Sequence, residues 1–384
     1  MFRKSSKLIT TFMIIIALFG SFMIASAEMG NAAGQTDVLT SSILKQIAIV
    51  ALGGICYIIC MNIKPFSLPQ SLYRIAYFGV CILLFIPRAF PPINGAYAWI
   101  RIASFSIQPS EFVKPFIILL GAKLIGLDRR EKNMSYVRQY ILSVLILVGI
   151  IVFVQKDTGT AIVILGITYC ICLITCHKGM AKFHNALMII LIIGAISCLI
   201  LLSPPVTKLL SNYTGNYQIA RIVSSGNPFN DQYNTGYHLV MSLVSFATGG
   251  WLGLGYGQSI HKYMNFPNPS TDFILPVIVE ETGILGFAII CILYLGIMIS
   301  LSFYSFKAKT VRSKIVFFGT FIYFFIHFLF NVGGVSGLIP LTGVPLLMLS
   351  SGGSSTLASM ICLGLCQSEI ININSKDESN SREV

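Results

Sequence analysis

Long apolar runs recur along this chain with short polar stretches between them. They fall at approximately 8–27, 43–62, 72–88, 111–127, 139–155, 159–176, 184–203, 273–303, 314–332 and 344–366. A helix rises about 1.5 Å per residue, so roughly 20 apolar residues cross a hydrocarbon core of about 30 Å. The runs do not alternate polar and apolar positions and are longer than barrel strands, which leaves helices as the spanning element. The pattern predicts an all-α polytopic membrane protein with about ten transmembrane helices, forming a single domain over residues 1–384. The runs flanking Gln155-Lys156-Asp157-Thr158-Gly159 are short, and read as a broken or re-entrant element.

The first run has two readings. Arg3, Lys4 and Lys7 precede an apolar stretch ending at Ala25-Ser26-Ala27, the pattern of a cleavable signal peptide. The same residues are long enough for a first spanning helix, which is the preferred reading. Between the seventh and eighth runs lies one large extracytoplasmic loop, about 204–272, holding Pro204-Pro205, Asn212, Tyr213, Gly215, Asn216, Tyr217 and a glycine-rich run from Gly249 to Gly257. A connection of that length is more often functional than connective. Tyr237 to Leu252 is apolar enough to form a helix on or in the membrane surface.

Composition strengthens the membrane reading. Hydrophobic residues make up 55% and charged residues 10% of the chain, with a mean hydropathy of +0.80; a soluble domain carries about 25% charged residues. The net charge of +12 raises the idea of a nucleic-acid partner, but the basic residues sit in short clusters between apolar runs and argue against one. Most of the 26 Lys and Arg residues, among them Arg129, Arg130, Lys132, Arg138, Lys178, Lys182, Lys307, Lys309, Arg312 and Lys314, fall in segments on the same side as the N-terminus. The positive-inside rule then places both termini in the cytoplasm, with 367–384 as a cytoplasmic tail. All ten cysteines lie within apolar runs, without disulfide or zinc-ligand spacing, and read as small apolar residues.

Charge inside or beside the spans is costly and marks candidate sites. Five acidic residues qualify on the outer half: Glu111, Asp157, Asp272, Glu280 and Glu281. Glu111 and Lys114 are three apart and share a helix face, as an internal ion pair or as part of a site. Glu280 and Glu281 point about 100° apart, so one faces the bundle interior. Asp272 follows Asn268-Pro269-Ser270-Thr271 and opens the eighth run. Either it or Thr271 could cap that helix, and its place at the outer mouth also suits a general base acting on a lipid-borne substrate. Lys45, Arg88, Arg101, Lys114, Lys156, Lys208, Arg221 and Lys262 lie outside against the usual bias, and a cluster of them would suit a lipid diphosphate.

Phe105-Ser106-Ile107-Gln108-Pro109-Ser110-Glu111-Phe112-Val113-Lys114 resembles the signature of the SEDS family, the RodA-, FtsW- and SpoVE-like proteins of shape, elongation, division and sporulation. Four further blocks follow in the family's order: Gln155 to Thr160, the Gly249 to Gly257 run, Thr271-Asp272-Phe273-Ile274 with Glu280-Glu281, and Asn331 to Ser355. The resemblance covers about 43–366. It implies a peptidoglycan glycosyltransferase of the bacterial cytoplasmic (inner) membrane that polymerises glycan strands from lipid II beside a class B penicillin-binding protein. It also implies Asp272 as the catalytic residue, with Glu111 and Lys114 as the buried pair that organises the core. Trp99 falls in the family's outer block, and Arg221 lies upstream of Gly236-Tyr237-His238. Arg101, Arg221 and Lys262 are the expected diphosphate contacts, alone or with a divalent cation, Mg²⁺ or Mn²⁺.

The chain departs from the family pattern at Gln155-Lys156-Asp157-Thr158-Gly159-Thr160, at Gly95-Ala96-Tyr97-Ala98-Trp99-Ile100, where an Arg before Trp99 is missing, and at Leu346-Leu347-Met348-Leu349. A divergent member is implied, with its role in elongation, division or sporulation open. The rivals are a lipid II flippase, since transporters also carry intramembrane charge and broken helices, and a non-catalytic scaffold.

Overall fold

The computed structural model describes residues 6–382 except 33–35, 94, 103–104, 127–133, 175–180, 202, 204, 207–209, 211–216, 232–235, 265 and 267. Each expected apolar run contributes a helix. These are α1 (Lys7–Ala32), α2 (Thr36–Asn62), α3 (Gln70–Phe85), α4 (Pro109–Leu124), α5 (Met134–Ile150), α6 (Thr158–Ile174) and α7 (Ala181–Leu201), then α10 (Ile274–Lys307), α11 (Val311–Val335) and α12 (Gly353–Arg382). Among the described residues, 7 helices are long and apolar enough to cross a membrane. Residues Thr158–Ile174 and Lys182–Gly194 are apolar but shorter. Helix α4 is short and buries Glu111, Lys114 and Lys123, so it sits inside the bundle, against α6, α11 and α12. The large loop holds two helices, α8 (Tyr217–Gly226) and α9 (Tyr237–Gly249), and α9 falls where the apolar stretch of the loop predicts one.

Helix α1 is built into the bundle. Ile9, Ile16, Met23 and Ala27 are fully buried, and α1 packs on α2 and α10. The first run is thus a helix packed within the bundle. The last run needs a correction. Residues 344–352 are not helical, because Gly343 (φ 71°), Pro345 and Met348 (φ 61°) do not continue a helix. Residues 341–349 form a strap that turns inward along its length, with Leu346, Leu347 and Met348 inaccessible. Helix α12 then extends through most of the expected tail. Gln367 accepts from the Ser6 amide at 2.8 Å and donates to the Ser6 carbonyl at 2.9 Å, which fixes that stretch against the start of α1. A small hairpin, β1 (Ile100–Ile102) with β2 (Phe105–Ile107), was not expected and leads into α4.

Helix α5 ends in a wide turn at Ile151–Gln155, and Lys156 adopts a left-handed conformation (φ 58°). Asp157 then caps α6, accepting from the Thr160 amide at 3.0 Å. That satisfies Asp157 as a cap, so its charge needs no further role to explain it.

Helix α10 is broken at Gly283, whose φ of 68° and ψ of −168° no helix contains. The glycine-rich run supplies what the break removes. Ile284 and Leu285 amides donate to the Gly250 and Trp251 carbonyls, at 2.9 and 3.3 Å. Leu254 and Gly255 amides donate to the Glu280 and Glu281 carbonyls, at 2.9 and 3.0 Å. A Cβ on Gly283 would stand 2.3 Å from the Trp251 oxygen, so glycine is required there by space as well as by conformation. Broken backbone at membrane depth is tolerated only when protein satisfies it, and this loop does so.

Candidate active site around Asp272

The turn before α10 presents Asp272. Asn268 turns the chain with φ 50°, and the Thr271 amide donates back to the Asn268 carbonyl at 3.2 Å. Phe273 is the residue that precedes the helix, and no side chain caps it. The capping role weighed for Asp272 and Thr271 is therefore not what these side chains do. Phe273 is wedged between His238 of α9, at 5.7 Å in a stacked arrangement, and Phe266, at 5.4 Å edge-on. These rings anchor the turn and leave the Asp272 carboxylate facing the strap.

The strap brings Asp272 and Arg221 together. Gly343 lies so close that a Cβ there would stand 3.5 Å from Asp272 Oδ2 and 3.7 Å from both Arg221 Nη atoms. Arg221 Nη1 donates to the Leu341 carbonyl at 3.0 Å. Asn331 of α11 donates from Nδ2 to the Asp272 carbonyl and to the Val344 carbonyl, each at 3.0 Å. The Ser351 amide donates to the Ser270 carbonyl at 2.7 Å, and the Tyr294 hydroxyl donates to the Leu347 carbonyl. Asp272 keeps an accessible edge, yet its crowded surroundings push the carboxyl up to about 6, with Arg221 pulling the other way. Burial, and Arg221 after it, lower the His238 imidazole below its ordinary value, which keeps it neutral.

Polar atoms are left over here. Asn331 Oδ1, Thr342 Oγ1 and His238 Nδ1 are all buried without a hydrogen-bond partner. Buried polar atoms are rarely left unpaired, and each such atom needs an explanation. The start of α6 closes the same region, since a Cβ on Gly159 would approach the Thr342 oxygen to 2.8 Å. Gln108 donates to Asp157 Oδ2 at 2.8 Å, and its amide donates to Ser354 Oγ at 2.8 Å. Segments that stand far apart in the chain thus meet here, the start of α6 at the strap and Gln108, Asp157 and Ser354 through hydrogen bonds.

Two further ionic clusters are buried in the bundle. In the first, Lys114 Nζ lies 2.5 Å from Glu111 Oε1 and 3.0 Å from His327 Nε2. Glu111 Oε2 and the Tyr323 hydroxyl beside it have no partner. In the second, beneath the glycine-rich loop, Glu281 Oε1 lies 2.6 Å from Lys262 Nζ, and Ser26 Oγ is 2.7 Å from both of its oxygens. Glu280 receives His261 Nδ1 at 2.7 Å, Ser259 Oγ at 2.6 Å and the Ile260 amide at 3.1 Å.

Lys262 is a correction. Expected to contact diphosphate, it is 2% exposed and neutralised by Glu281, so it supports the core instead. Arg101 stands exposed on β1, paired with Ser106 across the hairpin, and Trp99 is half-buried just before it. Of the three cations expected at a diphosphate, Arg221 is the one placed beside Asp272. Lys208 lies outside the described residues. Asn331 and Thr342 stand beside Asp272, and His327 lies behind the strap against the Pro345 carbonyl, all without having been assigned a role from sequence. The signal for His327 was available: an ionisable side chain alone in an apolar span.

This architecture defines a multi-pass membrane protein in which an acidic residue and an arginine face the same strap glycine, at the turn that leads into one of the long apolar helices. A family model for cell cycle proteins of the FtsW, RodA and SpoVE type matches residues 6–376, and the chain belongs to that family. It is 32% identical to the probable peptidoglycan glycosyltransferase FtsW of Bacillus subtilis, over 92% of this chain and 87% of that one. It is 30% identical to stage V sporulation protein E of the same organism, over 94% and 96%. The fold is similar to a chain in a solved peptidoglycan synthase complex (TM-score 0.72, 21% identity, 96% of this chain and 98% of that one). It is also similar to Rod shape determining protein RodA of Thermus thermophilus (TM-score 0.63, 19% identity, 95% and 96%).

Proposed function

We propose that this chain is a peptidoglycan glycosyltransferase that polymerises glycan strands from lipid II at the outer face of the bacterial cytoplasmic membrane. Both termini lie in the cytoplasm, and a class B penicillin-binding protein is its partner. The naming of its relatives as probable peptidoglycan glycosyltransferases supports the reaction class. The observation that carries the reading is Asp272: a raised carboxyl beside Arg221, ringed by buried polar atoms with nothing to bond.

In the reaction, the Asp272 carboxylate takes the proton from the 4-hydroxyl of the acceptor's terminal N-acetylglucosamine. The freed oxygen attacks C1 of the lipid-linked donor sugar, with inversion. The bond from C1 to the diphosphate oxygen breaks, and undecaprenyl diphosphate leaves with the electron pair. Arg221 faces the same carboxylate and lends positive charge to the departing diphosphate. A carboxyl near 6 is ionised at neutral pH while remaining basic enough to accept a proton. A resident metal does not fit this donor set. Among the described residues no three His, Cys, Asp or Glu side chains converge, and the single carboxylate already faces a guanidinium. Mg²⁺ or Mn²⁺ enters the proposal only as a companion of the substrate's own diphosphate, the usual way Mg²⁺ is held.

The test uses the purified full chain in liposomes with labelled lipid II and Mn²⁺ or Mg²⁺, with and without the partner. Glycan ladders from wild type that disappear in Asp272→Asn support the reading. Folded wild type that makes none with the partner present, or a variant that polymerises as well as wild type, overturns it. Transport of lipid II without polymerisation would establish the flippase instead.

A further inference from the structure

The Glu111–Lys114 pair lies inside the bundle, away from the Asp272 carboxylate, yet the two are joined by a short chain of contacts. Lys114 Nζ is 3.0 Å from His327 Nε2, and His327 Nδ1 is 2.9 Å from the Pro345 carbonyl. An ammonium only donates, so Nε2 must offer its lone pair. A carbonyl only accepts, so Nδ1 must carry the hydrogen. Both neighbours select the same neutral tautomer. Pro345 lies two residues beyond Gly343, the point where the strap touches Asp272 and Arg221. Asn331, one turn along the same helix, holds the adjacent Val344 carbonyl and the Asp272 carbonyl.

We propose that Lys114 is a positioning residue that locks His327 as its Nδ1–H tautomer, and that His327 and Asn331 together hold the strap in register against Asp272 and Arg221. The inference rests on the function proposed above for the site it positions. Glu111 has a defined part: its Oε1 holds Lys114 Nζ at 2.5 Å and fixes where the ammonium stands, 3.0 Å from His327 Nε2. In the other tautomer, Nδ1 would turn a lone pair toward the Pro345 oxygen, and the strap would lose one of two adjacent anchors.

The test uses full-length protein in nanodiscs with ¹⁵N-labelled histidine, His327 being assigned by its loss in His327→Asn. Wild type should show a protonated Nδ1 and a bare Nε2. Lys114→Met and Glu111→Gln, which leave the Pro345 carbonyl to hold the tautomer alone, should show a mixture, and a pure Nδ1–H signal in Lys114→Met overturns the lock. Asparagine places an amide nitrogen where Nδ1 stands, whereas glutamine reaches toward Lys114 and leaves Pro345 without a donor. His327→Asn should therefore keep the strap amides protected from hydrogen exchange, and keep kcat for lipid II polymerisation near wild type. His327→Gln should speed that exchange and lower kcat about tenfold, the worth of one hydrogen bond, with KM little changed. An Nε2–H tautomer in wild type overturns the lock, as does equal behaviour of the two variants in exchange. The spectrum and the exchange do not depend on activity, so a protein that fails to polymerise lipid II but shows the expected tautomer and exchange pattern would sink the enzyme reading and leave the lock standing.

Discussion

The cluster at Glu280 and Glu281 and the region around Asp272 both bring carboxylates and cations together within the protein, but they are finished differently. At Glu280 and Glu281 every carboxylate oxygen has a partner, drawn from Ser26, Thr248, Ser259, Ile260, His261 and Lys262. Around Asp272 three polar atoms, on Asn331, Thr342 and His238, have none. A satisfied buried network rigidifies a fold, and an unsatisfied one is costly unless something else completes it. The first therefore works as a staple between the glycine-rich loop, α1 and the break in α10. The second is shaped for a polar group that arrives from outside.

Substitution of the two carboxylates should separate them most widely. Asp272→Asn should lower polymerisation by about 10²–10⁴-fold, the usual contribution of a placed base. It should not destabilise the protein. A carboxyl raised in the folded state contributes stability only while protonated, at low pH, and that contribution is lost as pH rises through about 6. A permanently neutral amide avoids that loss at neutral pH. Glu281→Ala should do the reverse, leaving Lys262 buried and uncompensated at a cost of about 3–5 kcal/mol. Thermal unfolding in detergent reads one effect and glycan ladders read the other. A stable Glu281→Ala protein, or an unstable Asp272→Asn one, would collapse the distinction.

The pH profile follows from the same carboxyl. Below about 6, Asp272 holds its proton and cannot take another. The rate should fall about tenfold per pH unit on the acid side, and level off above. A profile with its acid limb near 4 would remove burial as the cause of the raised value. Gly283→Ala ranks next and bears on the staple. The new Cβ would meet the Trp251 oxygen at 2.3 Å in a conformation that L residues avoid, so the melting temperature should drop by an amount corresponding to about 1–3 kcal/mol or more.

Sequence pattern located the spans because apolar length is dictated by the bilayer, and it located Asp272, Glu111 and Glu281 because intramembrane charge is expensive. It placed the last span too early, since the apolar Val344–Leu349 looks like helix until Gly343 and Pro345 are weighed as strap residues. It misjudged Lys262 because a basic residue in an outer loop gives no sign of being folded under that loop onto Glu281. Two neighbours of Asp272 were hidden for a different reason. Arg221 was expected at the diphosphate, but Asn331 and Thr342 come from a helix and a strap far along the chain, and no local periodicity records that they meet the Asp272 turn.

The smallest expected effect is also the sharpest comparison, because it uses two hydroxyls of similar size. Ser26→Ala removes a partner of Glu281 and of Lys262, and should cost about 1–3 kcal/mol of stability with kcat for lipid II unchanged. Thr342→Val removes a hydroxyl that has no partner within the protein. It should leave the melting temperature unchanged or slightly raised, because no internal bond is lost and an unpaired group is buried no longer. If that hydroxyl meets the incoming sugar or diphosphate, kcat/KM should fall by roughly 3–10-fold, the worth of one net hydrogen bond. Loss of stability in Thr342→Val with unaltered kcat/KM would mean that the leftover polar atoms around Asp272 belong to the fold, and the contrast between the two regions would then be one of degree.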